Sequence, residues 1–211
     1  MADANTIRRE TDLNKLKDLC LASSGKVVIK STKGNPVDEI TIELKLNTAP
    51  SNKYPNEKQA TTLVVIQLSN RYPLQEPTAN IKTPIYHPNV YSSGKICFGQ
   101  KWLPTEGLDM LVKRIIKIVT FDPTILNEKS PANSDALKWY NSAVKAHPSA
   151  FPTDSLTSSN QKTEKTMNWS NIQDEKVIVK CANCSASLRL PKGKSGTVKC
   201  PTCSKFFETR T

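Results

Sequence analysis

From Ile40 to Leu46 apolar and polar residues alternate: Ile40, Ile42, Leu44 and Leu46 fall on one side, Thr41, Glu43 and Lys45 on the other. That period of two marks a strand with one buried face. Two flanking runs, Lys26–Lys30 and Thr62–Leu68, are rich in β-branched residues, and a shorter one spans Thr78–Lys82. Turns are supplied by Gly34-Asn35-Pro36 and by the stretch from Pro50 to Pro55. No helical pattern separates the four strands, so they read as an antiparallel meander rather than a doubly wound sheet. On either side the period lengthens. Ile7, Leu13, Leu16, Leu19 and Cys20 predict a helix over Thr6–Cys20, with Thr6 as its cap and Cys20 on its apolar face. Leu108, Leu111, Val112, Ile115, Ile116 and Val119 form a broad stripe that starts at Thr105 or Glu106 and stops at Asp122-Pro123, with Lys113, Arg114 and Lys117 on the solvated face. Ala136, Leu137, Tyr140, Ala143 and Val144 predict a third helix, capped by Asn133 or Ser130 and ending near His147-Pro148. The result is an α+β core of one helix, four strands and two helices.

Past Phe151 the composition changes. Residues 152–175 are dominated by Ser, Thr, Asn, Gln and Lys, too polar to offset chain entropy by burial, and read as a flexible linker between a core at 1–151 and a module at 176–211. The module holds four of the six cysteines, Cys181, Cys184, Cys200 and Cys203, spaced C-x2-C-x15-C-x2-C. That is the ligand set of a zinc ribbon, with Leu188–Leu190 and Thr197–Lys199 flanking a hairpin turn. Four thiolates leave zinc no open position, so the metal is structural, and one site is too few for a RING-type ligase domain. Small ribbons of this kind are similar to those widespread in bacterial proteins, which hints at a prokaryotic source.

The formal net charge is +11, lowered by two if zinc sits on four thiolates. Basic residues are scattered from Arg8 to Arg210, so nucleic acid and an acidic protein surface are both admissible partners, the protein slightly favoured for the ribbon. No apolar run approaches the roughly 18 residues of a membrane span. Met1–Asn5 lacks the basic start and apolar stretch of a secretory signal, which predicts a cytoplasmic protein without membrane association.

The chemistry concentrates in Ile85–Cys97, a loop turned by Pro88 and Gly94 that ends on a thiol. Asn89, eight positions before Cys97, can fold back beside it; a thiolate attacks acyl groups, and an amide N–H can hold the resulting oxyanion. The spacing of Tyr72-Pro73, Glu76-Pro77, His87-Pro88-Asn89, Gly94-Lys95-Ile96-Cys97, Trp102-Leu103-Pro104 and Asp122-Pro123 resembles the catalytic core of ubiquitin-conjugating enzymes over about residues 5 to 150. The resemblance implies the UBC fold. It also implies a transferase that takes ubiquitin or a ubiquitin-like modifier from an ATP-using activating enzyme onto Cys97 and passes it to a lysine amine. Asn89 would then stabilise the oxyanion and His87 would shape the loop. Leu74, Trp102 and Pro104 match positions that meet a ligase. Asn127 and Glu128 are alternative matches for a residue that guides the incoming lysine. Only four residues separate Cys97 from Trp102, fewer than in most members, and Gly99 stands where an acidic residue is common. An inactive adaptor of the same fold and a nucleic-acid-binding protein led by the ribbon are the alternatives; the ribbon would otherwise recruit a substrate or partner protein.

Overall fold

A computed structural model describes residues 3–99, 101–156, 176–191, 193 and 195–210. It divides into two compact units, Met1–Ser159 and Asn160–Thr211. In the first, α1 (Ala4–Ala22) precedes β1 (Val27–Gly34), β2 (Val37–Leu44), β3 (Thr62–Gln67) and β4 (Thr78–Ile81); α2 (Leu108–Val119) and α3 (Ser134–Ala146) follow. The strands pair antiparallel in the order β1-β2-β3-β4, as their alternation predicts. Their register sets Ile40 opposite Ile66 and Ile42 opposite Val64, all four fully buried. Against them α2 lays Leu108, Leu111, Val112, Ile115 and Val119 in one continuous core. Each such side chain contributes about 1.5–3 kcal/mol of transfer free energy.

The first helix departs from its apolar pattern. Its cap is Asp3, whose carboxylate accepts from the Thr6 N–H at 2.7 Å, because the helix begins two residues before Thr6. Ile7 is exposed, and the buried face runs through Arg9, Asp12, Leu16 and Leu19. The Arg9 guanidinium donates to the carbonyls of Val37 and Ser69, each at 2.8 Å. Asp12 accepts from the Tyr72 hydroxyl and from Arg8 Nε, while Arg8 Nη2 reaches the Glu106 carbonyl at 2.6 Å. Burial, aided by the Asp12 carboxylate, pushes the Tyr72 phenol far up, so it stays a donor. Buried polar bonds thus fasten α1 to the loops at 69–77 and 101–107. Cys20 packs partly buried against the main core, and burial raises its thiol pKa.

A second, aromatic cluster closes the other end. Phe121 stacks on Tyr140 with ring centroids 5.4 Å apart and meets Phe151 edge-on at 5.3 Å. Its φ of +60° is left-handed, which costs an L-residue about 1–2 kcal/mol and is held by that packing. His87 lies against the Phe121 ring at 4.2 Å and is fully buried. The chain then stays on the core through 156: Thr153 N–H donates to the Thr120 carbonyl at 2.9 Å, and Asp154 accepts from Asn47 N–H at 3.0 Å and pairs with Lys26 at 3.3 Å. The remainder of the expected linker, 157–175, lies outside the described residues. No helix among the described residues is long and apolar enough to cross a membrane.

In the second unit β5 (Lys176–Lys180) pairs with β6 (Ser187–Pro191), and β7 (Ser195–Lys199) pairs with β8 (Phe206–Arg210). The expected hairpin between 188–190 and 197–199 is therefore replaced by two, each closed by its own C-x-x-C pair. Sequence explains why: Val179-Lys180-Cys181-Ala182-Asn183-Cys184-Ser185 recurs nineteen residues on as Val198-Lys199-Cys200-Pro201-Thr202-Cys203-Ser204. Both copies bend alike, with Cys181 N–H on the Ala186 carbonyl and Cys200 N–H on the Lys205 carbonyl, each at 2.9 Å, and Ser185 and Ser204 both at φ +57°. Val179, Leu188, Val198 and Phe207 then pack beneath the cysteines.

Burial pushes the His87 pKa down from 6.5 to about 3. The folded chain therefore refuses a proton that the unfolded chain takes, and stability is complete above about pH 6.5 and falls as the pH drops towards 3. The slope is about 1.4 kcal/mol per pH unit. Urea unfolding at pH 7, 6 and 5 is expected to show this loss, above the range where carboxylates titrate, and His87→Gln to abolish it; an unchanged slope in that variant contradicts the assignment, since the other histidine, His147, is exposed.

Candidate active site

The segment from Pro88 to Cys97 is folded by its own backbone. Gly94 N–H donates to the Tyr91 carbonyl at 2.8 Å and Tyr91 N–H to the Lys95 carbonyl at 3.0 Å. Gly94 has φ +84°, and a Cβ there would collide with the Ile81 carbonyl oxygen. Only glycine lets the turn seat against β4, where Ile81 N–H reaches the Gly94 carbonyl at 2.8 Å and Ile96 N–H the Ala79 carbonyl at 2.9 Å. The turn returns the chain on itself, and Cys97 N–H meets the Asn89 carbonyl at 2.8 Å. An eight-residue separation in sequence becomes direct contact.

The Asn89 side chain is fully buried and bonded at every edge. Its Nδ2 donates to the Cys97 carbonyl at 3.3 Å and to the Ile125 carbonyl at 3.2 Å, and its Oδ1 accepts from Asn127 N–H at 3.1 Å. One carboxamide joins the loop that ends on the thiol to the loop that follows α2. His87 supports it from behind, its Nδ1 accepting from Asn89 N–H at 2.9 Å. That bond fixes the tautomer with hydrogen on Nε2. Cys97 itself is partly exposed.

Asn127 lies beside Gly99: a Cβ built at Gly99 would stand 3.6 Å from the Asn127 Cβ. Its own side chain is committed to its loop, donating to the Ser130 carbonyl at 2.6 Å and accepting from Ser130 N–H at 3.2 Å. Glu128 is exposed. Gly99 has φ +70°, a left-handed conformation that favours glycine. Close by, the Arg114 guanidinium sits 6.0 Å from the Phe98 ring and 2.7 Å from the Glu106 carboxylate.

Leu74 is 72% exposed, with Pro104 and Leu103 also exposed on the loop opposite. Trp102 differs from these: it is buried, its Nε1–H donating to the Pro73 carbonyl at 2.7 Å and its ring 6.2 Å from that of Tyr72. It latches the two loops together rather than offering its ring to a partner. Sequence reasoning passed over Leu103, which stands between two marked positions. It also passed over Phe121, whose only signal is an aromatic residue just before Asp122-Pro123.

In the ribbon the four cysteine sulfurs lie within 4.8 Å of one another. Cys181 Sγ is 3.8 Å from Cys203 Sγ, and Cys184 Sγ is 3.6 Å from Cys200 Sγ. A zinc ion with Zn–S bonds of about 2.3 Å at the centre of a tetrahedron requires edges of about 3.8 Å, so the set fits that ion. Asn183 N–H points at Cys181 Sγ at 3.4 Å, and the backbone N–H groups of Cys203 and Thr202 hold the Cys200 thiol below its ordinary pKa, while the neighbouring sulfurs push Cys184 up. Such N–H bonds favour thiolates.

The family model of the ubiquitin-conjugating enzyme matches residues 23–151. The chain is 32% identical over 125 residues to ubiquitin-conjugating enzyme E2 T of Homo sapiens, covering 59% of this chain and 60% of that protein. To ubiquitin-conjugating enzyme E2 T of Mus musculus it is 39% identical over 77 residues, 36% of this chain and 37% of that protein. The chain thus spans 60% or less of these relatives' lengths. A solved structure of a ubiquitin conjugating enzyme from Trypanosoma cruzi shares the fold with a TM-score of 0.51 and 22% identity, covering 72% of this chain and 97% of that one. With a family match that takes in the whole sheet, the loop ending on Cys97 and both later helices, this chain belongs to the ubiquitin-conjugating enzyme family.

Proposed function

We propose that this chain carries ubiquitin or a ubiquitin-like protein as a thioester on Cys97 and transfers it to a lysine amine. The observation that supports this most is that Asn89 bonds twice to the backbone of the residue that bears a partly exposed thiol, its carbonyl accepting from Cys97 N–H and its Nδ2 donating to the Cys97 carbonyl. In loading, the Cys97 thiolate attacks the thioester of an ATP-using activating enzyme and expels that enzyme's thiolate. In discharge, the lysine nitrogen attacks the same carbonyl carbon, an oxyanion forms, the Cys97 thiolate leaves and the ammonium proton passes to solvent. His87 takes no proton in this scheme: it is neutral, fully buried and already accepting from Asn89. Its work is to hold the loop.

For Asn89 to stabilise the oxyanion, one amide hydrogen must leave a carbonyl. The bond to the Cys97 carbonyl is long at 3.3 Å, and a bond of that kind contributes about 1 kcal/mol. An oxyanion donor contributes about 2.7–4 kcal/mol, so the exchange is favourable. Glu128, exposed, and Asn127, beside Gly99, flank the route of the incoming amine. Leu74, Leu103 and Pro104 form the surface for a ligase, with Trp102 fixing their relative placement. A structural zinc on Cys181, Cys184, Cys200 and Cys203 organises the ribbon, whose 36 residues bury too little to fold without it. The reading places the protein in the cytoplasm, where thiols stay reduced.

Mixing the chain with ATP, an activating enzyme and candidate modifiers is expected to give an adduct that a reducing agent removes and that Cys97→Ser turns into a base-labile ester. Failure to form an adduct with any modifier, or an adduct on another residue, overturns the reading. Asn89→Ala should slow lysine discharge by about 10²–10³-fold while loading changes far less; equal slowing of both steps would leave Asn89 a brace only. Metal analysis is expected to return one zinc per chain. Chelation should melt the ribbon without stopping adduct formation at Cys97, and a metal content of zero or two contradicts the four-thiolate site.

A further inference from the structure

The positive charge of the chain is less evenly spread than a scan of its lysines suggests. Residues 176–211 hold eight lysines and arginines against a single acidic residue, Glu208, and so carry seven of the eleven net charges. Zinc on four thiolates would still leave this module strongly cationic. The rest of the chain, almost five times as long, balances its charges far more closely.

The strands of the ribbon sort their side chains by face. Val179, Leu188, Val198 and Phe207 turn towards the cysteines. Phe206, one residue before Phe207, faces the other way and is 66% exposed. Lys199 is its partner across the β7–β8 ladder, and the lysine Nζ lies over the ring 5.8 Å from its centroid. Lys205, next in the chain, is exposed as well. A bare aromatic ring on a small, metal-held module is not needed for packing, since Phe207 fills that role. A protein-binding centre would be expected to shed lysines, whereas here Lys199 lies over one side of the ring and Lys205 adjoins it in the chain. Flat rings ringed by cations suit a ligand that alternates π faces with negative charges.

We propose that the ribbon binds single-stranded nucleic acid, with a base stacked on Phe206 and the neighbouring phosphates met by Lys199 and Lys205. Duplex is a poor fit because its bases are already stacked on each other and out of reach of the ring. The enzyme would then work on or near nucleic acid, the strand acting as a tether and not as a reactant. This assignment does not depend on the chemistry at Cys97.

The test is fluorescence anisotropy of a labelled twelve-nucleotide oligo(dT) with the zinc-loaded full chain, titrated at several KCl concentrations. Binding is expected to weaken as salt rises. Phe206→Ala is expected to weaken it by about 5- to 150-fold, while Phe206→Trp, which keeps a ring, stays within a few-fold of the parent. Lys199→Gln with Lys205→Gln should reduce the slope of log K against log salt by about 1.4. One zinc per chain in each variant shows that the ribbon has kept its fold. The proposal is overturned by no binding at low salt, by equal affinity for a duplex of the same length, or by Phe206→Ala binding as the parent does, which would reduce the ribbon to a non-specific cation.

Discussion

One side-chain amide holds the site together. Asn89 reaches the Cys97 and Ile125 carbonyls and receives the Asn127 N–H, so two pieces of backbone distant in sequence, one at Cys97 and one at 125–127, converge on it. Being fully buried, it has no water to replace a lost partner, and an unsatisfied group there costs about 1–3 kcal/mol. The surroundings are arranged to keep it in place. Gly94 lets the turn close against β4, His87 accepts from the Asn89 backbone, and Phe121 braces the His87 ring. The thiol sits at the edge of this unit, partly exposed, at the end of the loop that these bonds hold.

The loops flanking the site are held by a different device. Buried Arg9 and Asp12, with half-buried Arg8 beside them, form a polar face on α1 that fastens the 69–77 and 101–107 loops, and Trp102 latches the two together. Removing one member of such a network leaves another charge buried without its partner, a loss of about 3–5 kcal/mol. Leu74, Leu103 and Pro104 are exposed upon a rigid base, which is what a surface needs to be recognised without first being ordered.

Much of this could be read before any coordinates. The alternation of Ile40 to Leu46 gave the meander, the stripe of α2 gave its cover, and the spacing of Asn89 and Cys97 gave the loop, because each rests on local periodicity or on turn residues. What escaped depends on partners far along the chain. Arg9 and Asp12 look like surface charges to any hydrophobicity pattern, and their burial follows only from acceptors at Val37 and Ser69 and a donor at Tyr72. Trp102 in its motif reads as a contact residue, and only the distant Pro73 carbonyl, which takes its N–H, makes it a latch. In the ribbon the repeat of Val-Lys-Cys-x-x-Cys-Ser carries the pairing, since two like knuckles imply two hairpins rather than the one expected between them.

The central claim, that one carboxamide ties the thiol-bearing loop to the loop after α2, is open to direct measurement by NMR on the ¹⁵N,¹³C-labelled chain. The Asn89 side-chain N–H₂ is expected to exchange slowly with solvent and to show couplings across hydrogen bonds to the carbonyl carbons of Cys97 and Ile125. An Asn89 amide that exchanges as fast as that of an exposed asparagine, with neither coupling, would contradict it.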